Sequence, residues 1–323
     1  MTEIASTGTG DKPTVTVRTT ALWLLIAGYL LAVICFTWNP TPIAQLLAAI
    51  GIVGACVHAS MTYGFRHMLA LFSICVVTTF AIENLGVATG FPFGHYHFEV
   101  GADLPHIGAI PVIVGPLWFG MGYFSWRLAC ILLDGADRRL DRNVNLIALP
   151  IVAAFVATQW DMVMEPGAAT IGKAWIWHDG GAIFGVPLSN YFGWLLTAWL
   201  FFQMFALYLR HQSGPWMAGA FSSQRVAQNA RPMTGSVGTG SREENASKEK
   251  SNQRALNAIA ILFYVCSGLT QVVPWMMGQS GEVTDAAGHV WKIAELREAV
   301  VATLMFTMLF TALLSALRLV KSA

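Results

Sequence analysis

Residues 144–160, VNLIALPIVAAFVATQW, and residues 188–209, LSNYFGWLLTAWLFFQMFALYL, frame a polar interval that reads DMVMEPGAATIGKAWIWHDGGAIFGVP. Each apolar run has the roughly 17–25 residues that a helix needs to cross a hydrocarbon core about 30 Å thick. Six further runs of the same kind lie to either side, at 21–38, 43–63, 67–82, 110–133, 255–277 and 299–319. Hydrophobic residues make up 55% of the 323 positions and charged residues only 11%. That is too little polar side chain to cover a soluble globule of this size. The expected fold is all-α, a polytopic integral membrane helical bundle of about eight transmembrane helices.

Lysine and arginine set the expected orientation. With the N-terminus inside, Lys12, Arg18, Arg66, Arg138, Arg139, Arg142, the basic residues from Arg210 to Arg254, Arg318 and Lys321 all fall on the cytoplasmic side. The opposite loops hold only Lys173, Lys292 and Arg297, and Arg127 lies inside the fourth run. Such asymmetry predicts an even number of spans with both termini inside. The polar interval after residue 160 then sits at the membrane face away from the cytoplasm.

The first twenty residues are polar and threonine-rich, with no cleavage pattern after the first apolar run, and read as a disordered cytoplasmic tail. Residues 21–212 form a six-span core, 213–254 a disordered cytoplasmic loop of mixed charge, and 255–323 the last two spans and a short tail. The mixed signs of the loop fit plain solvation, and no nucleic-acid partner is expected. Cys35, Cys56, Cys75, Cys130 and Cys266 all fall within apolar runs without a CxxC spacing, so they read as small core hydrophobes. No metal site and no cofactor is expected.

The residues that do not fit bulk packing gather on one side. Glu83 and Asn84 close the third run, the following loop carries FPFGHYHF at 91–98, Asp161 and Glu165 follow the fifth run, and Asn190 and Tyr191 begin the sixth. Ionisable groups at membrane depth are costly, so they mark functional sites by default. Glu83 and Asp161 read as site carboxyls, against the alternatives of a register-setting pair and a simple helix-end acid. Glu165 and Asp179 read as loop acids exposed to solvent. His95 and His97, one residue apart, would share a side of an extended chain, where they clamp a metal, position a proton donor or simply bond within the loop. His178 beside Asp179 resembles an oriented imidazole, and His58 and His67, near the other face, read as structural. Trp118, Trp160, Trp175, Trp177, Trp194 and Trp275 fall near one level, which suits either an interfacial belt or the lining of a site.

Four segments together carry a family resemblance: ENLGVATGFPFGHYHF at 83–98, PLWFGMGYFSW at 116–126, QWDMVMEP at 159–166 and WIWHDGGAIFGVPLSNYFGW at 175–194. In these the chain resembles the membrane-bound carotenoid 1,2-hydratase family, over about Ile43 to Arg210, with the run from Asp161 to Trp194 the most specific part. The resemblance implies a multi-pass enzyme of the bacterial cytoplasmic membrane, working on an acyclic carotenoid among lipid and beside other carotenoid-biosynthesis enzymes. Its reaction would add water to the terminal double bond of a psi end group, giving a tertiary alcohol.

The chemistry of that reaction makes its own demands. Protonating a trisubstituted alkene at its less substituted carbon leaves a tertiary cation, which water captures. An acid, a base and a cation-stabilising surface are needed, and Asp161 with Glu83 is the expected acid–base pair, in either order. His95, His97 or His178 would tune the acid. Asn84 or Asn190 would hold the water, and Trp160, Trp175, Trp177 and Tyr191 would face the cation at about 1–2 kcal/mol each when desolvated. A carotenoid cyclase passes through the same cation and is the nearest rival, and a lipid-binding or transport protein is the non-enzymatic one. Di-iron hydroxylases need HxxxH and HxxHH boxes, and the eight histidines form none.

Overall fold

The computed structural model describes residues 13–35, 40–212 and 239–321. Helices α1 (Pro13–Cys35), α2 (Pro40–Tyr63) and α3 (Phe65–Thr89) precede a loop with three short strands, β1 (Tyr96–Phe98), β2 (His106–Ile107) and β3 (Ile110–Pro111). Helices α4 (Val114–Leu132) and α5 (Asn143–Glu165) follow, then strand β4 (Trp175–Trp177) and α6 (Leu188–Gln212). Beyond these come α7 (Thr239–Leu269), the short α8 (Val272–Met276), strands β5 (Glu282–Thr284) and β6 (Val290–Lys292), and α9 (Ile293–Leu304). A π-helical turn at Met305–Leu309 joins α9 to α10 (Phe310–Lys321) as one rod. Six of the helical rods are long and apolar enough to cross a membrane: those built on α1, α2, α3, α5, α6 and α9–α10. The protein is thus an all-α, multi-pass membrane bundle.

Large apolar side chains cover the outside of the bundle, among them Leu24, Val53, Val77, Phe155, Phe306 and Val320, each at least half exposed. Lipid is the solvent that suits such a surface. Helix α4 lies at the centre, packed against α2, α3, α5 and α7, and is buried over most of its length. Small residues let its neighbours approach. A Cβ on Gly120 would stand 3.4 Å from Ile52, and one on Gly122 3.0 Å from the Phe201 ring. These glycines serve close helix packing.

Several boundaries differ from the hydropathy reading, each for a local reason. The tail expected over 1–20 is helical from Pro13, and residues 1–12 lie outside the described residues. Thr239 to Arg254, assigned to a disordered loop by polarity, form the first turns of α7, where Glu, Lys, Ala, Gln and Arg are good helix formers whatever their charge. The remainder of that loop, 213–238, is likewise outside the described residues. The third span runs on past residue 82 to Thr89 and stops at Gly90, whose positive φ of 78° closes the helix through a 2.7 Å bond from its N–H to Gly86 O. The fifth continues through Pro166–Ile171 as a π-helical turn, with Gly172 N–H reaching Gly167 O at 2.9 Å.

One end of the bundle is tied by a buried ion pair. Arg127 Nη1 donates to Asp137 Oδ2 at 2.9 Å and to the Tyr63 hydroxyl at 2.7 Å, while Nη2 donates to Asn257 at 3.0 Å. The Tyr63 hydroxyl in turn donates to Asp137 at 2.6 Å. Helices α2, α4 and α7 are pinned together there. His58 bonds the Tyr123 hydroxyl and Leu256 O nearby, consistent with a structural role. Removing Asp137 strands a buried cation, so Asp137→Ala is expected to cost about 3–5 kcal/mol, read from thermal unfolding in detergent. The exposed Asp134–Arg318 pair on the same end gives the contrast, since Asp134→Asn should cost no more than about 1 kcal/mol. Equal losses would contradict the role assigned to the buried pair.

We propose that α4 and α7 cross the membrane too. Tyr63, Arg127 and Asn257 meet at one end, whereas Glu83 and Trp118 meet at the other, as consecutive antiparallel crossings require. Reporter fusions at the two termini should then report the same face, and opposite faces would exclude eight crossings.

Candidate functional site

Three carboxyls, Glu83 on α3 and Asp161 and Glu165 on α5, are buried at the end of the bundle away from Arg127. Asp161 and Glu165 stand one helical turn apart on α5, close enough to interact electrostatically. Among the described residues no ion pair reaches any of the three. Neutral donors surround them instead. Trp118 Nε1 donates to Glu83 Oε1 at 2.9 Å, and the Tyr96 hydroxyl donates to Glu83 Oε2. Glu165 Oε1 accepts the indole N–H of Trp175 at 2.6 Å and that of Trp177 at 2.7 Å, and Asn190 Nδ2 donates to Asp161 Oδ2 at 2.9 Å. Asp161 therefore takes one such donor where Glu83 and Glu165 take two each.

Two strands from separate loops deliver three of these donors, Tyr96, Trp175 and Trp177. β1 pairs antiparallel with β4 in the register Tyr96↔Trp177, His97↔Ile176 and Phe98↔Trp175. Successive side chains on a strand point to opposite faces. Tyr96, Phe98, Trp175 and Trp177 consequently pack together toward the bundle, with Tyr96 and Trp177 4.8 Å apart and Phe98 and Trp175 6.2 Å apart. Burial, reinforced by the Glu83 carboxyl, pushes the Tyr96 phenol above its usual value and keeps it a donor. His97 faces the other way.

The histidines thus lie outside the carboxyl cluster. His95 bonds exposed Asp179 at 3.0 Å, while His97 bonds His178 at 2.7 Å and Glu99 at 2.9 Å, all on the exposed side of the ladder. None bonds Glu83, Asp161 or Glu165, so the direct tuning of the acid expected from them is not what this arrangement provides. Among the described residues no group of three or more His, Cys, Asp or Glu side chains is arranged to hold a metal ion. Asn84 holds the β2–β3 turn, donating to Ile107 O at 3.0 Å and accepting Ala109 N–H at 2.9 Å. Its amide serves the loop.

Tryptophans line the wall beside the carboxyls. Trp118 stacks on Trp194 at 3.7 Å between ring centres, and Trp160 lies 5.7 Å from Trp194. Among the described residues, the buried Trp160 indole N–H and Tyr191 hydroxyl have no hydrogen-bond partner. Tyr191 is close enough to feel both Asp161 and Glu165.

Glu165, expected as an exposed loop acid, is the clearest correction, being only 2% exposed. Its i+4 spacing from Asp161 was the available signal, since that puts both carboxyls on one helical face. Pro166 and Gly167 pointed instead to a helix end, but the chain continues through the π turn and keeps Glu165 inside. Tyr96 was also missed as a site residue. Its signal lay in the alternation of HYHF with WIW, legible only if the two segments pair.

A cap closes this end. Asp285 accepts the indole N–H of Trp291 at 2.9 Å and the backbone N–H of His289 at 2.9 Å, fixing the β5–β6 hairpin. Although burial opposes it, these donors hold the Asp285 carboxyl below its usual value. Lys173 Nζ reaches Thr284 O at 2.7 Å, and Phe184 meets Trp291 at 5.5 Å.

Fold and site together define a multi-pass membrane protein with a buried acid cluster walled by aromatic rings at one end. The chain belongs to the carotenoid biosynthesis protein family, whose model matches residues 41–219. Over 137 residues it is 34% identical to bisanhydrobacterioruberin hydratase of Haloarcula japonica, a stretch covering 41% of this chain and 42% of that relative. The chain thus matches less than half of that relative's length. No solved structure matches the chain.

The Phe93 ring connects the packing to the site. It lies between Gly86 of α3 and Gly193 of α6, where an added Cβ would come within 2.8 Å and 2.3 Å of it. Phe93 is also 6.0 Å from Tyr96. Gly193→Ala should force the ring aside at a cost of about 1–3 kcal/mol and shift the Tyr96–Glu83 contact. Thermal unfolding together with tyrosine fluorescence of a reduced-tryptophan background would register both, and an unchanged protein would remove Phe93 from the support of the site.

Proposed function

We propose that the protein is a carotenoid hydratase, adding water across the terminal C1=C2 double bond of an acyclic psi end group. The observation that carries this reading is the cluster of Glu83, Asp161 and Glu165, buried without a cation and walled by indoles. The name of the Haloarcula relative points the same way. A carotenoid dissolves in the bilayer core, and its end group reaches the level of this cluster without leaving lipid.

In the proposed mechanism Asp161, the carboxyl with fewest donors, gives its proton to C2. The electron pair of the double bond forms the new C–H bond and leaves the tertiary cation at C1. The faces of Trp118, Trp160 and Trp194 oppose that charge through their quadrupoles. Water then adds to C1 and yields a proton to Glu83, so the net change is the gain of one water. Glu165, one helical turn from Asp161 and in electrostatic contact with Glu83, returns the proton and resets the acid. The Tyr191 hydroxyl, beside Asp161 and Glu165, and the Trp160 N–H in the adjoining aromatic wall are buried without partners among the described residues and are suited to hold the water. This feature favours hydration over cyclisation, because a cyclase must keep water from the same cation.

Expression in a host that accumulates an acyclic carotenoid tests the reading. The product should carry the mass of one added water and a tertiary hydroxyl. Asp161→Asn should lower its formation by about 10²- to 10⁴-fold, with Glu83→Gln and Glu165→Gln also impaired. An isomer of unchanged mass with a closed ring would identify a cyclase. Hydration that persists at full rate in Asp161→Asn would refute the assigned acid.

A further inference from the structure

Among the described residues two arginines are buried, and one of them has an anionic partner. Arg127 is matched by Asp137. Arg297, in the first turns of α9, is 7% exposed, yet its Nη1 donates to Gln271 at 2.8 Å and its Nη2 to Gln279 at 3.2 Å, both neutral amides. Its Nε–H, like that of Arg127, is buried with no partner among the described residues. Among the described residues no carboxylate forms an ion pair with it. A guanidinium offers five N–H donors, and a buried charge of this kind ordinarily meets a counter-charge.

The space for one is present. A cavity of about 220 Å³ opens beside Arg297, lined also by Trp275, Gly278, Gln279, Ala294 and Glu298. Glu298 is exposed and makes no ion pair with the arginine. Next to the cavity Trp275, Met276 and Met277 present apolar side chains 44%, 73% and 65% exposed. An anion placed there has a guanidinium on one side and acyl-compatible surface on another. The proposed carotenoid end group is a neutral hydrocarbon and cannot supply the charge. The position also lies beyond residues 41–219, the part matched by the family model.

We propose that this cavity binds the phosphate of an anionic phospholipid from the leaflet at the acid-cluster end of the bundle. The phosphate oxygens complete the guanidinium, and the acyl chains lie along Trp275, Met276 and Met277. The arginine fork suits phosphate geometry, and Trp275 suits the headgroup level. On its inner side the cavity backs onto the turn after Glu165, where a Cβ on Gly167 would stand 2.8 Å from Gln271 and 3.3 Å from Arg297.

The test uses the full chain purified in detergent and titrated with phosphatidylglycerol, phosphatidylcholine or inorganic phosphate alone. Native mass spectrometry counts the retained lipid, and thermal unfolding follows occupancy. Wild type should retain phosphatidylglycerol over phosphatidylcholine and be stabilised by it, with little response to inorganic phosphate. Arg297→Gln should weaken that preference about fivefold, the factor for one interfacial basic charge. Ala294→Trp, which fills the cavity mouth and leaves the arginine in place, should do the same and guards against misfolding of the first variant. Arg318→Gln on the other end should leave it intact. The proposal is overturned if both cavity variants keep the preference, if the two lipids bind alike, or if inorganic phosphate alone reproduces the stabilisation.

Discussion

A carboxyl buried at the end of a membrane bundle must be solvated by the protein, and here the solvation comes from indoles, a phenol and an amide. Each donor is neutral, and each comes from an element other than the helix that carries the acid it serves. Trp118 reaches Glu83 from α4, Trp175 and Trp177 reach Glu165 from β4, and Asn190 reaches Asp161 from α6. The positions of four helices and one strand ladder are fixed by these contacts. Donors of this type satisfy lone pairs without adding a full charge, so the site stays hospitable to a hydrocarbon.

The two ends of the bundle solve the same burial problem in different ways. At the far end Arg127 and Asp137 cancel each other, with Tyr63 shared between them. There the two charges face each other directly and hold the pair in place. The acid cluster has no cation to lock it. Asp161 and Glu165 lie one helical turn apart, with Glu83 near enough for its charge to be felt by both. An arrangement that can gain, lose and pass a proton is the one suited to acid–base work.

Much of this was legible along the chain because lipid imposes long, simple signals. The apolar runs and the crowding of Glu83, Asp161, Asn190 and the aromatics at one level survive in the structure, since helix length and direction alone determine them. What was not legible depended on pairing and on turn geometry. The HYH segment offered two histidines and one tyrosine, and only its register with WIW turns Tyr96 inward and both histidines outward. Pro166 and Gly167 promised a helix end, and a π turn, a distortion frequent at functional sites, carried the helix past them. Charge likewise hid the start of α7, where helix propensity and solvent exposure coexist.

The tryptophans divide by where their N–H groups point. An indole in an interfacial belt keeps its polar edge toward headgroups and water. Trp275, 44% exposed, fits that description. Trp118, Trp175 and Trp177 cannot, because their N–H groups are bonded to buried carboxyls and their rings lie against other aromatics. Trp160 fits neither group, for its N–H is buried within the same aromatic wall and unbonded among the described residues. An orphaned donor is costly in a dry interior unless something arrives to accept from it. The Tyr191 hydroxyl is left in the same state beside Asp161 and Glu165, so the two orphaned donors support the water site proposed for the reaction.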